Sequence, residues 1–164
     1  MRETIPAPFR SSKMTIEPAW IDYNGHLNLA YYHVLFDRGL DELFDAIGLG
    51  ESYRERTGYT TYTAEAHICY LREVPSAATV QVTTQIVGLD AKRLHIFQEL
   101  YHEDGWLAAT VENLSLSINQ NTPHGPKVAP FPAETFQGVK AAAEAHAALP
   151  RPERVSRSIK PLKL

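Results

Sequence analysis

One amphipathic helix followed by four β-patterned segments restricts the folds open to this chain more than any other feature. Between residues 28 and 47, apolar residues recur at spacings of three and four, which is the period of one helix face. Asn28 is of the N-cap type and Gly48 is of the type that ends helices. A helix with so wide an apolar face must be covered by other elements. The stripe consists of Leu29, Tyr32, Phe36, Leu40, Leu43 and Ile47.

The segments after this helix have the composition and alternation of strands. They are rich in Tyr, Thr, Val and Ile, with turn sequences at 88–91 and 103–105. We predict a polar loop at 51–57, an irregular segment at 119–132 and a peripheral helix at 133–149. One helix against an antiparallel sheet predicts an α+β domain of about five strands wrapped around a central helix, the hotdog arrangement. The predicted strands are 14–20, 59–71, 79–87, 93–102 and 106–118.

Bulk composition limits the classes of function. The 164 residues suit a single domain with its core at about 14–118 and a C-terminal helix and mobile tail at 133–164. A net charge of −3 argues against a nucleic-acid partner. Cys69 is the one cysteine, which excludes an intrachain disulfide and fits a reducing compartment. Residues 1–13 do not resemble a signal peptide, and no apolar run is long enough for a membrane span. We therefore expect a cytoplasmic protein without a membrane partner.

The segment from Asp22 to Asn28 carries side chains of catalytic type immediately before the predicted helix. Asp22, Asn24, His26 and Asn28 occupy alternate positions, so an extended segment would place all four on one face. The helix that follows offers unpaired N–H groups and a positive dipole end. A carboxylate, an imidazole and aimed N–H groups suit the hydrolysis of an acyl compound. The alternative for the Asp-x-Asn-Gly run is a turn with side chain–backbone bonds, and Asn28 fits a plain N-cap equally well.

Three stretches resemble a known family: Trp-Ile-Asp-Tyr-Asn-Gly-His at 20–26, Tyr-Thr-Ala-Glu-Ala-His-Ile at 62–68, and Asp-Ala-Lys-Arg-Leu-His-Ile-Phe at 90–97. Over 14–118 the chain resembles hotdog acyl-CoA thioesterases of the 4-hydroxybenzoyl-CoA thioesterase-like superfamily. Within that group it is most similar to the betainyl-CoA thioesterase domain associated with L-carnitine dehydrogenase. The resemblance implies an acyl-CoA substrate, and a homodimer or dimer of dimers with active sites at the interface. It also implies that Glu65 lies near the pocket.

Thioester hydrolysis needs an oxygen nucleophile and stabilisation of an oxyanion, because the thiol leaving group has a pKa of about 8.5 and departs readily. Asp22 is predicted to act as general base on water or as the nucleophile itself. The sequence is consistent with both roles. Asn24 and His26 would orient the water, the carbonyl or Asp22. The oxyanion donors are predicted to be backbone N–H groups of the four residues that follow Asn24. These residues are Gly25, His26, Leu27 and Asn28.

Aromatic and basic residues suggest how the substrate is held. Aromatic faces bind quaternary ammonium groups, and Tyr23 is the best candidate because it lies inside the motif. The alternative for each aromatic residue is a place in the core or at the dimer interface. Lys92 and Arg93 follow the 88–91 turn and either contact CoA phosphates or are solvated. The aromatic residues considered are Trp20, Tyr23, Tyr31, Tyr32, Tyr62 and Trp106.

Several alternatives stay open at this stage. The preferred substrate is a short acyl-CoA, with betainyl-CoA as the specific candidate. The alternative is an aromatic or medium-chain acyl-CoA. His33 and Asp37 on the predicted helix keep a hotdog hydratase or dehydratase open, and a non-catalytic protein that binds CoA esters is the third possibility. We expect neither cofactor nor metal, since the strand-borne histidines do not have zinc-type spacing. Those histidines are His67, His95 and His102.

Overall fold

A computed structural model describes residues 5–162. The strands in this range form one seven-stranded antiparallel sheet. The four long strands lie in the order β4-β5-β6-β3, so β3 is an edge strand. Two short strands pair with β4 and one with β6. The strands are β1 (Phe9–Arg10), β2 (Met14–Thr15), β3 (Tyr59–Tyr70), β4 (Thr79–Leu89), β5 (Arg93–His102), β6 (Leu107–Asn119) and β7 (Lys127–Val128).

Helix α1 (Leu29–Ile47) packs on the inner face of this sheet. The Asn28 side chain accepts the Ala30 N–H at 3.0 Å, and Gly48 ends the helix with a φ of +82°. Both predicted ends are therefore confirmed. The predicted stripe is buried except for Leu29, the first residue of the helix, which is 63% exposed.

Two hydrophobic clusters join α1 to the sheet. One surrounds Trp20, Phe36 and Leu100, and the other surrounds Leu43 and Leu94. Between them α1 approaches β4 so closely that a Cβ on Gly39 would lie 2.7 Å from the Val82 Cβ. The glycine, unfavourable inside a helix by about 1 kcal/mol, is thus explained by packing.

Three predicted segments differ from the structure. Residues 51–57 form helix α2 (Glu51–Thr57) rather than a loop, because Tyr53 is fully buried and anchors the otherwise polar turn. The first strand is limited to Met14–Thr15, since Pro18 begins a 3-10 turn, Pro18–Trp20. The segment 119–132 is irregular apart from β7.

Helix α3 (Ala133–Ala147) is less peripheral than predicted, because Val139, Ala142 and His146 are buried. His146 accepts the Ile86 N–H at Nδ1 over 2.9 Å and donates from Nε2 to Pro6 O over 3.0 Å. Only the neutral ring satisfies both bonds.

The segment after α3 lies against the outer face of the sheet up to Ser156. The Gln85 side chain donates to Pro150 O at 3.2 Å. The Ser156 N–H donates to the Glu112 carboxylate at 2.7 Å. These two bonds attach the segment to β4 and to β6.

We predict that His146 makes stability pH-dependent. Burial lowers its pKa below the ordinary 6.5, so below pH 6.5 the unfolded chain binds more protons than the folded chain. The free energy of unfolding should therefore be highest above pH 6.5 and decrease as the pH falls. Urea unfolding from about pH 8 to about pH 5 should give a smaller pH slope for His146→Gln than for the wild type. His124→Gln, at an exposed histidine, should keep the wild-type slope. Equal slopes for the wild type and His146→Gln would contradict the prediction.

Candidate active site

The segment before α1 is a tight turn, not an extended strand. The Asp22 N–H donates to His26 O at 3.0 Å, the Asn24 N–H donates to Asp22 Oδ1 at 2.8 Å, and Gly25 has a φ of +82°. The prediction that Asp22, Asn24, His26 and Asn28 share one face is therefore wrong. Asp, Asn and Gly at these positions favour a side chain–backbone turn, and Asn28 turns its side chain to the helix cap.

Asp22 keeps one carboxylate oxygen available. The side chain is half-buried, its Oδ1 is held by the turn, and its Oδ2 has no hydrogen bond within residues 5–162. Burial raises the pKa of the Tyr32 hydroxyl, a hydrogen bond with the Val74 backbone lowers it, and the nearby Tyr70, Glu73 and Asp22 raise it further. These four side chains therefore lie at the same end of α1.

His26 and Asn24 do not contact the Asp22 carboxylate through their side chains. The His26 Nε2 lies 3.3 Å from the Glu73 carboxylate, and the Asn24 side chain is exposed. Sequence reasoning missed Glu73 because it lies in the connection between two strands, far along the chain. Val74, beside Glu73, binds the segment before α1, and this was not readable as a local pattern.

Most of the predicted oxyanion donors already bond within the fold. An N–H that donates to a carbonyl is not free for an oxyanion, so this prediction is corrected for Gly25, Leu27 and Asn28. The N–H groups of His26 and Leu29 have no acceptor within residues 5–162. The existing bonds join the N–H of Gly25 to Asp22 O at 3.0 Å, of Leu27 to Val74 O at 2.9 Å, and of Asn28 to Trp20 O at 2.9 Å.

Glu65 lies on the other side of the sheet from Asp22. A bulge between Thr63 and Glu65 reverses the alternation of β3, so Ala66 faces α1 and Glu65 faces outward. The structure thus does not bring Glu65 to Asp22 within one chain. The Glu65 side chain instead lines a cavity of about 360 Å³ on the outer face. The other lining residues are His67, His95, Glu112, Asn113, Leu114, Ser156 and Arg157.

The predicted aromatic residues lie in different environments. Tyr23 is 98% exposed at the tip of the turn, and Tyr62 is on the outer face of β3. Trp20 is buried, stacks on Tyr31 at 5.4 Å, and carries the Arg38 guanidinium 5.1 Å from its ring centre. The ring of Trp20 therefore already holds a cation of its own chain. Tyr70, which sequence reasoning missed, lies beside Tyr32.

Lys92 and Arg93 lie where β5 begins. Asp22 lies near the other end of the sheet. Leu94, next to Arg93, packs in the cluster away from Trp20. The Arg93 Nε and Nη2 each lie 2.6 Å from Asp90 Oδ2, and this hydrogen-bonded pair lowers the pKa of Asp90. Lys92 is exposed, so it is the freer of the two cations.

The remaining candidates lie along α1. His33 and Asp37 line a cavity of about 330 Å³ between α1 and β3, together with buried Asn113. Within residues 5–162, no three His, Cys, Asp or Glu side chains are close enough to hold a metal ion. None of the helices described is both long and apolar enough to cross a membrane.

Comparison with known proteins decides the family. The model of the thioesterase-like superfamily matches residues 16–142. The chain belongs to the thioesterase-like superfamily. The predictions of a hotdog fold and of a thioester hydrolase are thereby confirmed.

Individual proteins of known sequence or structure show how similar this chain is to particular thioesterases and to a CoA-bound protein. Betainyl-CoA thioesterase of Pseudomonas aeruginosa is 43% identical over 87% of this chain and 88% of its own. L-carnitine dehydrogenase/betainyl-CoA thioesterase of Rhizobium meliloti is 33% identical over 93% of this chain, which spans only 30% of that longer protein. A hypothetical Staphylococcus aureus protein solved in complex with CoA is 30% identical, with a TM-score of 0.86 over 99% of this chain and 100% of its own.

Proposed function

We propose that this chain hydrolyses betainyl-CoA to glycine betaine and CoA. The observation that carries the proposal is the 43% identity to the Pseudomonas aeruginosa enzyme over almost the full length of both chains. The protein of similar structure that binds CoA supports a CoA ester as the substrate. The half-buried Asp22 at the beginning of α1 supplies the reactive carboxylate.

Asp22 starts the reaction with its free Oδ2. Either this oxygen removes a proton from water as the water oxygen attacks the thioester carbonyl, or it attacks the carbonyl itself to form an anhydride that water then opens. In both routes the carbon–sulfur bond breaks, and the CoA thiolate leaves and takes a proton. The net reaction consumes one water and yields a carboxylate.

The N–H groups of His26 and Leu29 are the proposed oxyanion donors. His26 lies in the turn that precedes α1 and Leu29 is the first residue of α1, and neither N–H has an acceptor within the described residues. The positive end of the α1 dipole adds to their effect on a developing negative charge. Backbone bonds hold this part of the turn, because the Asp22 N–H donates to His26 O at 3.0 Å and the Leu27 N–H donates to Val74 O at 2.9 Å.

We propose a homodimer formed through β3. This twelve-residue edge strand has exposed residues from Tyr62 to Ala66, and a long open edge readily pairs with another strand. Large apolar residues are exposed on β3, directly after it or near the beginning of α1, as expected of a surface that a partner covers. They are Tyr23, Leu29, Tyr62, Tyr70 and Leu71.

Antiparallel pairing of two β3 strands explains why candidate residues are far apart within one chain. The Tyr70 end of one strand would lie beside the Tyr59 end of its partner. Each Asp22 would then face the end of the partner sheet that carries Lys92. Lys92 is therefore proposed to contact the phosphates of CoA bound at the neighbouring Asp22.

Replacement of Lys92 tests this phosphate contact. Lys92→Gln should raise the KM for CoA esters about two- to five-fold at low ionic strength, because one exposed attractive charge is lost. Salt should reduce the difference between variant and wild type. Steady-state kinetics with Lys140→Gln as control would measure this, and an unchanged KM for Lys92→Gln would favour a solvated turn.

A thiol-release assay tests the proposed substrate. The wild-type enzyme is assayed with betainyl-CoA, 4-hydroxybenzoyl-CoA and straight-chain acyl-CoA esters. The proposal expects the highest kcat/KM with betainyl-CoA. A higher value with an aromatic or medium-chain ester would replace the betainyl assignment while keeping the thioesterase activity.

A further inference from the structure

Tyr70 presents an aromatic ring at the end of α1 where Asp22 lies. Its hydroxyl donates to Leu29 O over 3.3 Å, and its ring meets Tyr32 edge-on with the ring centres 5.1 Å apart. Tyr32 is 4% exposed whereas Tyr70 is 45% exposed. The contacts with Leu29 and Tyr32 therefore hold the Tyr70 ring in place and leave part of it accessible.

Two carboxylates lie on the segments next to this ring. Glu73 follows Tyr70 by three residues, and its carboxylate lies 3.3 Å from the Nε2 of His26, in the same turn as Asp22. A cation is attracted by an aromatic face and by nearby carboxylates, and the attraction is strongest where water is excluded. The environment of Tyr70 thus favours a positively charged group over a neutral group of the same shape.

The chemistry of the proposed substrate requires a cation site close to the attacking group. In betainyl-CoA a single methylene separates the quaternary nitrogen from the thioester carbonyl. The ammonium must therefore bind beside Asp22. Tyr62 is on the opposite face of the sheet, and Trp20 already carries the Arg38 guanidinium.

We propose that Tyr70 determines specificity by binding the quaternary ammonium of the acyl group against its ring. This inference rests on the proposed function, since it concerns the acyl group of the same substrate. Tyr32 and Leu29 O position the ring. Tyr70 takes the role that the sequence suggested for Tyr23.

The test compares betainyl-CoA with 3,3-dimethylbutyryl-CoA, in which carbon replaces the charged nitrogen without changing the shape. Tyr70→Leu should lower kcat/KM for betainyl-CoA about ten-fold or more, while kcat/KM for the neutral ester stays within about two-fold. Tyr70→Phe keeps the ring and should keep most of the preference. Tyr101→Leu, at a tyrosine of β5 outside the proposed site and interface, is the matched control and should keep the wild-type preference.

A variant with pentafluorophenylalanine at position 70 keeps the experiment decisive if Tyr70→Leu does not fold. Fluorination reverses the ring quadrupole at nearly constant shape, so the preference for the charged ester should fall as with leucine. An equal loss of kcat/KM with both esters, or an unchanged preference for betainyl-CoA, would overturn the role of Tyr70. A wild type without any preference for the charged ester would overturn the betainyl assignment as well, which distinguishes the two failures.

Discussion

Asp22→Asn should lower kcat at least about 100-fold with betainyl-CoA, because it removes the proposed base or nucleophile. The substitution is nearly isosteric, and an asparagine Oδ1 can still accept the Asn24 N–H that the aspartate accepts at 2.8 Å. The turn should therefore persist while the charge is lost. Asp22→Ala should lower kcat at least as much and should also loosen the turn.

Asp104→Asn is the matched control for this experiment. Asp104 is an exposed aspartate in the β5–β6 turn, and its replacement should leave kcat unchanged. Thermal unfolding of each variant shows whether the fold is retained. A folded Asp22→Asn enzyme with nearly wild-type kcat would remove Asp22 from the chemistry.

Ala66→Pro should convert the proposed dimer to monomers and lower activity about 100-fold, since displacement of active-site groups by about 1 Å can cost that much. The Leu71 N–H donates to Ala108 O across β3 and β6. Along a strand of an antiparallel ladder, successive N–H groups point alternately to one neighbour and to the other. Ala66 precedes Leu71 by an odd number of residues, so its N–H points away from β6, toward the free edge. Proline at this position should therefore block a partner strand without removing a bond to β6.

Ala66→Ser is the control at the same position, because it changes the side chain and keeps the N–H. Light scattering coupled to size-exclusion chromatography gives the mass of each variant, and the same samples are assayed for thiol release. The serine variant should stay dimeric and active. A dimeric, fully active proline variant would show that β3 is not the interface.

The elements could be predicted where their signals are local. The α1 stripe, its Asn28 cap and its Gly48 end depend on neighbouring residues only, and alternating β4 and β5 were equally readable. Helix α2 was missed because its stability depends on Tyr53, whose burial is a tertiary property.

The arrangement of the site could be predicted only in part. The sequence left both a turn and an extended segment open around Asp22, because the same Asp-x-Asn-Gly sequence suits both. The acceptors that engage Leu27 and Asn28 come from Val74 and Trp20, which no local spacing reveals. Glu65 faces outward because one bulged residue reverses the faces of β3, and no local pattern predicts this bulge.

The direct measurement of the reaction is the decisive test of the proposed function. Purified wild-type enzyme is incubated with betainyl-CoA, and glycine betaine is quantified by NMR alongside free thiol. Glycine betaine and free thiol should form in equal amounts. Thiol should be released faster from betainyl-CoA than from 3,3-dimethylbutyryl-CoA, and at least about 100-fold more slowly by Asp22→Asn than by the wild type. Betainyl-CoA left intact under conditions in which other acyl-CoA esters are hydrolysed would contradict the proposed function.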